Sequence, residues 1–281
     1  MEIFDLPAVH DLLRAALAED VGAGDVTTRL TVAPGVRAQA SIRVKQAAVI
    51  AGIPLIRKLC AMAGGEVVVQ EQCSDGTRVR KGAVIASLSG PAQTLLSIER
   101  VTLNLLQHLS GVATLTAQFV AAVKGTKARI VDTRKTLPGL RVLEKYAVRV
   151  GGGFNHRHRL DDGILIKNNH ITAAGGVAAA LRAARAGAPH GLKVEIECRT
   201  QAEVDEALGA GAEAILLDNM SVERLRAAVR RIAGRALTEA SGGVHLDNVR
   251  AIAETGVDII SVGALTHSAP AVDLHMLLEL A

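Results

Sequence analysis

Residues 151–170 read GGGFNHRHRLDDGILIKNNH and contain three histidines, two arginines and a lysine that ends an apolar run. Arginine binds carboxylate or phosphate groups through two parallel hydrogen bonds, and lysine acts as a point charge. The stretch therefore predicts the mouth of a site for a substrate with several negative charges. A solvated surface loop is the alternative, particularly for His158, Arg159, Asp161 and Asp162. His170 is expected to support Lys167 or to cap a helix.

Polar residues also end the other apolar strand candidates, which read ARIVDT, GILIK, KVEIEC, EAILLD, RALTEA and VDIISVG. A further short strand is possible at GGFNHR. The carboxyl ends of parallel strands meet at one face of a β/α barrel, where such folds place their sites. The pattern predicts one common site from the residues Asp132, Thr133, Arg134, Lys135, Lys167, Glu195, Glu197, Asp218, Glu239, Ser241, Gly242, Gly243 and Gly263.

Small residues follow the last two strand candidates, in the segments EASGG and SVGA. Barrels commonly bind phosphate at this position through backbone N–H groups, and glycine lets the backbone approach an anion closely. Ser241, Gly242, Gly243 and Gly263 therefore predict a phosphate site. His267, four residues after Gly263, is a candidate further donor or a structural histidine.

Two carboxylates on successive strands, Glu197 and Asp218, suit magnesium that is held together with substrate phosphates. A salt bridge at the top of the barrel is the alternative for each. We expect only one of Glu195 and Glu197 to face the barrel interior, and the strand pattern alone does not select it.

The composition is typical of parallel α/β proteins, because the 49% of hydrophobic residues include one Tyr, three Phe and no Trp. Strand patterns alternate with helix patterns after about residue 110, which predicts a β/α barrel or a doubly wound sheet. Residues 37–91 have the pattern of a small sheet module. The lack of aromatic platforms and a net charge of +4 disfavour a nucleic-acid role. Cys60, Cys73 and Cys198 share no metal-ligand spacing. The N-terminal helix pattern is not a signal peptide, and we expect a cytoplasmic protein without membrane contact.

Several segments together resemble the quinolinate phosphoribosyltransferase family: RVTLNLLQHLSGVAT, DTRKTLPGLR, EKYAVRVGGGFNHRHRLDDGILIKNNH, ILLDN, EASGGV and SVGALTHSAPAVDLHM. The resemblance covers essentially the whole chain. It implies the transfer of a phosphoribosyl group from phosphoribosyl pyrophosphate to quinolinate, with release of pyrophosphate and CO2 and formation of nicotinate mononucleotide for NAD biosynthesis. It also implies an α/β fold with a small N-terminal sandwich domain (1–110), an incomplete seven-stranded barrel (111–267) and a C-terminal helix (268–281) that completes the first domain.

The resemblance implies a role for each matching residue. Quinolinate would contact Arg134, His156, Arg157 and Lys167, together with Arg100 from the partner subunit of a homodimer, or of a hexamer of such dimers. Phosphoribosyl pyrophosphate would contact Lys135, Glu197, Asp218, Ser241, Gly242, Gly243, Gly263 and His267. Lys167, Glu197 and Asp218 would be the catalytic residues, with Mg2+ near Glu197 and Asp218, directly or indirectly. Asn168 and Cys198 depart from the common family pattern without touching these roles.

Three other functions remain open. One is a related phosphoribosyltransferase with another acceptor, such as the paralogue of molybdate-transport operons, although the intact DTRKT, NHRH and IKNNH segments weigh against it. Another is an aldolase-like barrel in which Lys167 forms a Schiff base. The third is a metabolite sensor, which the carboxylates Glu197 and Asp218 disfavour.

Overall fold

The structure, a computed structural model, describes residues 3–64 and 66–280. The chain forms two units. The described residues of 1–117, 136–152 and 268–281 make up the first unit, and residues 118–135 and 153–267 make up the second.

The elements follow one another in chain order after a 3-10 turn at Ile3–Asp5. The helices are α1 (Pro7–Val21), α2 (Val26–Thr31), α3 (Ile53–Ala63), α4 (Ala92–Ala122), α5 (Arg141–Val150), α6 (Asn168–Ala174), α7 (Val177–Gly187), α8 (Gln201–Gly209), α9 (Val222–Ile232), α10 (Leu246–Ala253) and α11 (Ala264–His267). The strands are β1 (Arg37–Val44), β2 (Ala48–Val49), β3 (Val68–Glu71), β4 (Arg78–Val79), β5 (Val84–Pro91), β6 (Arg129–Val131), β7 (Ile164–Ile166), β8 (Val194–Cys198), β9 (Ala214–Asp218), β10 (Leu237–Ser241), β11 (Ile259–Ser261) and β12 (Leu274–Leu280).

The first unit is built on an antiparallel sheet with the strand order β12-β1-β5-β3. Alternate residues of β1 are buried, which is the period of two expected for a sheet with one covered face. Its core includes Ile42, Leu88, Ile56 and Leu106, so α3 and α4 pack with the sheet strands in one apolar cluster. The sheet module predicted over 37–91 and the helix predicted near the N-terminus, α1, are present.

The C-terminal segment is a strand, so the predicted C-terminal helix is wrong. Strand β12 pairs antiparallel with β1 from Leu274 opposite Val44 to Leu280 opposite Ala38. Leu274 and Met276 point into the core, and Leu277 is exposed. The run of Leu and Met favours a helix by propensity alone, but the open edge of β1 provides backbone hydrogen bonds that override this weak preference.

Helix α5 belongs to the first unit, whereas the sequence prediction placed it within the barrel. The Tyr146 hydroxyl donates to Asp75 at 2.7 Å, and the Tyr146 ring packs edge-on against Phe4 with 4.9 Å between centroids. His108 Nε2 lies 2.8 Å from the buried Glu144 carboxylate. These contacts join residues far apart in sequence, and residue spacing does not reveal them.

The second unit contains a parallel sheet with the strand order β6-β11-β10-β9-β8-β7. All six strand candidates of the sequence analysis are strands. The weak candidate at GGFNHR forms a single parallel bridge between Phe154 and Val131, which extends the sheet beyond β6. The predicted α/β class, with a small sheet unit followed by a parallel-sheet unit, is confirmed.

Helix caps lie a few residues beyond the strand ends and keep the intervening loops short. Thr200 Oγ1 accepts from the Glu203 amide at the start of α8, and Ser221 accepts from the Arg224 amide at the start of α9. Polar residues at the ends of β8 and β9 are therefore held in fixed positions. Among the described residues, none of the helices has both the length and the apolar character that a membrane span requires.

Candidate active site

A cavity of about 520 Å³ lies at the carboxyl ends of the parallel strands of the second unit. Most site residues predicted within this unit line it, namely Arg134, Lys135, His156, Arg157, Lys167, Glu197, Asp218, Ser241, Gly242, Gly243, Gly263 and His267, whereas Asp132 and Glu195 do not. Glu239, Thr133 and Ser261 also line it. Arg100 lies on α4, where its side chain is exposed, and its proposed contact with a partner's site stays a prediction.

Two arginines give one wall of the cavity its positive charge. Burial and then the nearby charge of Arg134 lower the pKa of Arg157 from its ordinary value. The Arg157 guanidinium also donates to the Gly163 carbonyl at 2.7 Å, which fixes its direction. Two like charges held this close are stabilised by an anion between them, so this wall suits a carboxylate or phosphate ligand.

Asp132 positions the segment that carries His156 and Arg157. It is fully buried at the end of β6, and its carboxylate accepts from the His156 amide at 2.9 Å and from Asn155 Nδ2 at 2.6 Å. A buried carboxylate with two donors on one short segment holds that segment in place. The sequence analysis placed Asp132 at a strand end but assigned it no role.

His156, which lines the cavity, lies against two carboxylates. The Arg157 amide donates to His156 Nδ1 at 2.7 Å, so Nδ1 carries no hydrogen and the ring proton is on Nε2. Nε2 lies 3.2 Å from Glu195 and 3.6 Å from Glu239. Burial, followed by the charge of Glu195, raises the pKa of Glu239 to about 8. The three groups have a metal-ligand spacing, with ligand atoms within 4.8 Å of one another, but the adjacent Arg157 charge disfavours a further cation.

The expectation that only one of Glu195 and Glu197 faces the interior is wrong. Glu195 reaches His156, and Glu197 lines the cavity from the same strand, β8. Residues two apart in a strand point to the same side, so both carboxylates face inward.

Glu197 and Asp218 end neighbouring strands and share a cation. Arg199 Nη2 lies 3.3 Å from Glu197, and Arg199 Nε lies 3.3 Å from Asp218. Burial and then the charge of Asp218 raise the pKa of Glu197. Paired carboxylate oxygens that already attract one cation are a donor set that fits Mg2+. Arg199 was missed by the sequence analysis because it lies beyond the strand end.

The two small-residue loops approach other groups closely. Gly242 has a φ of +88°, and a Cβ atom there would lie 2.3 Å from Asn219 Oδ1. A Cβ atom on Gly263 would lie 3.0 Å from Lys135 Cδ and 3.2 Å from His267 Nε2. Glycine at these positions therefore keeps room at the cavity wall and exposes backbone there, as a phosphate site requires.

The remaining candidates of the 151–170 stretch are structural or solvated. His170 Nδ1 accepts from the Lys167 amide at 2.9 Å and so caps α6, one of the two roles expected for it. The Asp162 carboxylate accepts from the His158 amide, and Arg159 pairs with Asp161 on the exposed surface.

Burial raises the pKa of Cys60 to about 11 and that of Cys198 to about 12, as in unreactive thiols.

Comparison with known proteins identifies the family. The C-terminal domain model of quinolinate phosphoribosyl transferase matches residues 112–277, and the N-terminal domain model matches residues 25–110. The chain belongs to the quinolinate phosphoribosyl transferase family. The family and the enzyme class predicted from the motifs are thus confirmed.

Relatives in this family cover nearly the whole chain. A nicotinate-nucleotide pyrophosphorylase [carboxylating] of Mycobacterium leprae is 45% identical over 280 residues, which are 97% of this chain and 98% of the relative. A probable enzyme of the same name from Bacillus subtilis is 43% identical over 94% of this chain and 91% of its own length. The crystal structure of NadC from Streptococcus pyogenes superposes with a TM-score of 0.93 at 41% identity and covers 99% of each chain.

Proposed function

We propose that the protein transfers the phosphoribosyl group of phosphoribosyl pyrophosphate to the ring nitrogen of quinolinate, releases CO2 and forms nicotinate mononucleotide and pyrophosphate. One observation carries the proposal. A cavity wall of Arg134, Arg157 and Lys167 lies in the same cavity as the glycine loops of β10 and β11. The first suits the two carboxylates of a pyridine acceptor, and the second suits a phosphate.

The two bond changes need charge compensation and positioning. The bond between the anomeric carbon and the pyrophosphate oxygen breaks, and the bond between that carbon and the pyridine nitrogen forms. The positively charged ring then accepts the electron pair of the carbon–carboxylate bond as CO2 leaves, and the ring carbon takes up a proton. Arg134, Arg157 and Lys167 hold the acceptor so that its nitrogen faces the anomeric carbon.

Lys135 and the loop residues serve the donor substrate in this proposal. The Lys135 stem passes beside Gly263, and the Thr266 hydroxyl donates to the Lys135 carbonyl at 2.7 Å. The Lys135 side chain therefore starts from the loop region that would bind the 5-phosphate. Ser241, Gly242, Gly243 and His267 would be the other hydrogen-bond donors to this phosphate.

Glu197 and Asp218 would hold Mg2+, directly or through water, and accept hydrogen bonds from the ribose hydroxyls. Their support is the cation already shared between them. When bound with the substrate, the metal neutralises the charge that develops on the leaving pyrophosphate. Both carboxylates also place negative charge near a developing oxocarbenium ion, which stabilises it.

A homodimer in which Arg100 completes the partner's site belongs to the same proposal, and its support is the resemblance in the RVTLN segment. A hexamer of such dimers and a cytoplasmic location are part of the same proposal. Arg100→Ala would test the shared site, because mixing it with an inactive Lys167→Ala variant would restore activity only if each site used residues of both subunits.

An acceptor panel tests the proposed function. The protein is incubated with phosphoribosyl pyrophosphate and Mg2+ and with quinolinate, with nicotinate or without an acceptor. Mononucleotide products are then separated and identified. Nicotinate mononucleotide from quinolinate alone is expected. A product from nicotinate, or none from quinolinate with folded protein, contradicts the proposal.

A further inference from the structure

In the cluster of His156, Glu195 and Glu239, two carboxyl groups face one histidine nitrogen, and a proton on one carboxyl group would remove one of the two negative charges. Glu239 is 2% exposed, and its Oε1 is buried without a hydrogen-bond partner among the described residues. Its Oε2 faces a histidine nitrogen that Glu195 approaches more closely. A second ionised carboxylate here would be desolvated and poorly compensated.

The histidine compensates only part of this charge. The Arg157 amide donates to His156 Nδ1 at 2.7 Å, so Nε2 faces the carboxyl groups, and its attraction for Glu239 is outweighed by burial and by the charge of Glu195. One N–H therefore faces two carboxyl groups. The other groups that face Glu239 are Ser261 from β11 and Glu195 from β8, and neither adds positive charge.

We infer that Glu239 acts as a neutral carboxylic acid and that its proton keeps the cavity positive enough to accept the two carboxylates of the acceptor. The inference rests on the proposed function for the identity of that acceptor. Glu239 is a positioning residue here, because it acts through His156 and through the charge of the cavity and forms no bond to the reacting atoms.

The cavity charges explain why one proton matters. Four cations line the cavity, Arg134, Lys135, Arg157 and Lys167, and they are opposed by Glu197 and Asp218 and by Glu195 behind His156. Arg199 compensates Glu197 and Asp218 in part. Ionisation of Glu239 would add one more negative charge beside the wall where the acceptor's carboxylates would lie. The raised pKa of Glu239 supports the neutral form near pH 7.

Infrared spectroscopy of the substrate-free protein tests the proton directly. The carbonyl stretch of a protonated carboxylic acid is followed from about pH 6 to about pH 10, a range in which ordinary Asp and Glu are ionised. We expect a band in the wild type that disappears on raising the pH and that is absent in Glu239→Gln. Glu213→Gln is the matched control, since Glu213 is exposed at the opposite end of β9, and it should retain the band. The inference is overturned if the wild type has no band or if Glu239→Gln keeps it.

Calorimetric binding of quinolinate over the same range tests the consequence. Above the pKa of Glu239 the wild-type Kd should rise, by up to about tenfold for each pH unit when one proton is linked to binding. Glu239→Gln, a permanently neutral isostere, should lose this rise, and Glu213→Gln should keep it. An equal rise in Glu239→Gln contradicts the inference.

The two experiments separate this inference from the proposed function. If quinolinate does not bind at any pH while the infrared band behaves as expected, the acceptor assignment fails and the proton on Glu239 stands. If Glu239 were ionised and had only a structural role, Glu239→Gln would change neither the infrared band nor the pH dependence of Kd.

Discussion

Gly242 and Asn219 are so close that a methyl group on Gly242 would lie 2.3 Å from Asn219 Oδ1. Gly242 follows β10 and Asn219 follows β9, and both have left-handed backbone conformations. The end of β10 can therefore pass Asn219 only without a side chain, and this close approach shapes the loop that we assign to the 5-phosphate.

Gly242→Ala should raise the KM for phosphoribosyl pyrophosphate by about tenfold or more, because both the strained φ and the clash displace the loop. The KM for quinolinate should change much less. Steady-state kinetics with each substrate varied in turn measure the split.

Gly234→Ala is the matched control for backbone strain. Gly234 also has a positive φ, of +74°, but no atom lies within 4 Å of the added Cβ. It should lose about 1 kcal/mol of stability without a change in either KM. An equal effect of both variants on the KM for the pyrophosphate substrate would contradict the loop assignment.

Arg199→Gln should strengthen Mg2+ binding several-fold, because the cation that neutralises Glu197 and Asp218 is removed. Calorimetric titration of the protein with Mg2+ measures this without catalysis. Arg231→Gln, which breaks an exposed pair with Asp205, serves as the control and should leave Mg2+ binding unchanged. Weaker binding in Arg199→Gln would refute the shared-cation account.

Arg134→Ala should lower kcat/KM for quinolinate tens- to thousands-fold, corresponding to roughly 2–4 kcal/mol for a desolvated charged contact. The exposed Arg159 of the same basic stretch is the control, and Arg159→Ala should retain near-normal kinetics. A near-normal Arg134→Ala enzyme would remove Arg134 from the acceptor site.

The pH dependence of stability follows from the raised pKa of Glu239. The folded state keeps a proton that the unfolded chain releases near the ordinary value of 4.5, so this group's contribution to stability falls as the pH rises from there to about 8. Below 4.5 the contribution is fully present. Glu239→Gln should lack this decline. Denaturant unfolding from about pH 5 to about pH 9 compares the two slopes, and parallel curves would contradict a buried proton.

The parallel-sheet unit was largely predictable because its signal is local. Short apolar strands ending in polar residues locate the carboxyl face of the sheet, so Lys167, Glu197 and Asp218 converge on one cavity once the strands are parallel. The same reasoning does not reach Arg199, which lies beyond the strand and touches both carboxylates only because of its side-chain direction.

Features that depend on distant partners were missed. Strand β12 exists because β1 offers an open edge, and α5 joins the first unit through contacts such as that of Tyr146 with Asp75. The environment of Glu239 requires His156 from one segment and Glu195 from another. The alternation of side-chain direction along a strand identifies its inward face, but it does not reveal which groups from other strands share that interior.

A single-turnover reaction with quinolinate, phosphoribosyl pyrophosphate and Mg2+ tests the central claim most directly, with pyrophosphate and CO2 measured together. Our account predicts that both are released in equal amounts, and that neither is released with nicotinate as the acceptor. Pyrophosphate without CO2 would contradict the decarboxylating reaction, and the absence of both from folded protein would contradict phosphoribosyl transfer to quinolinate.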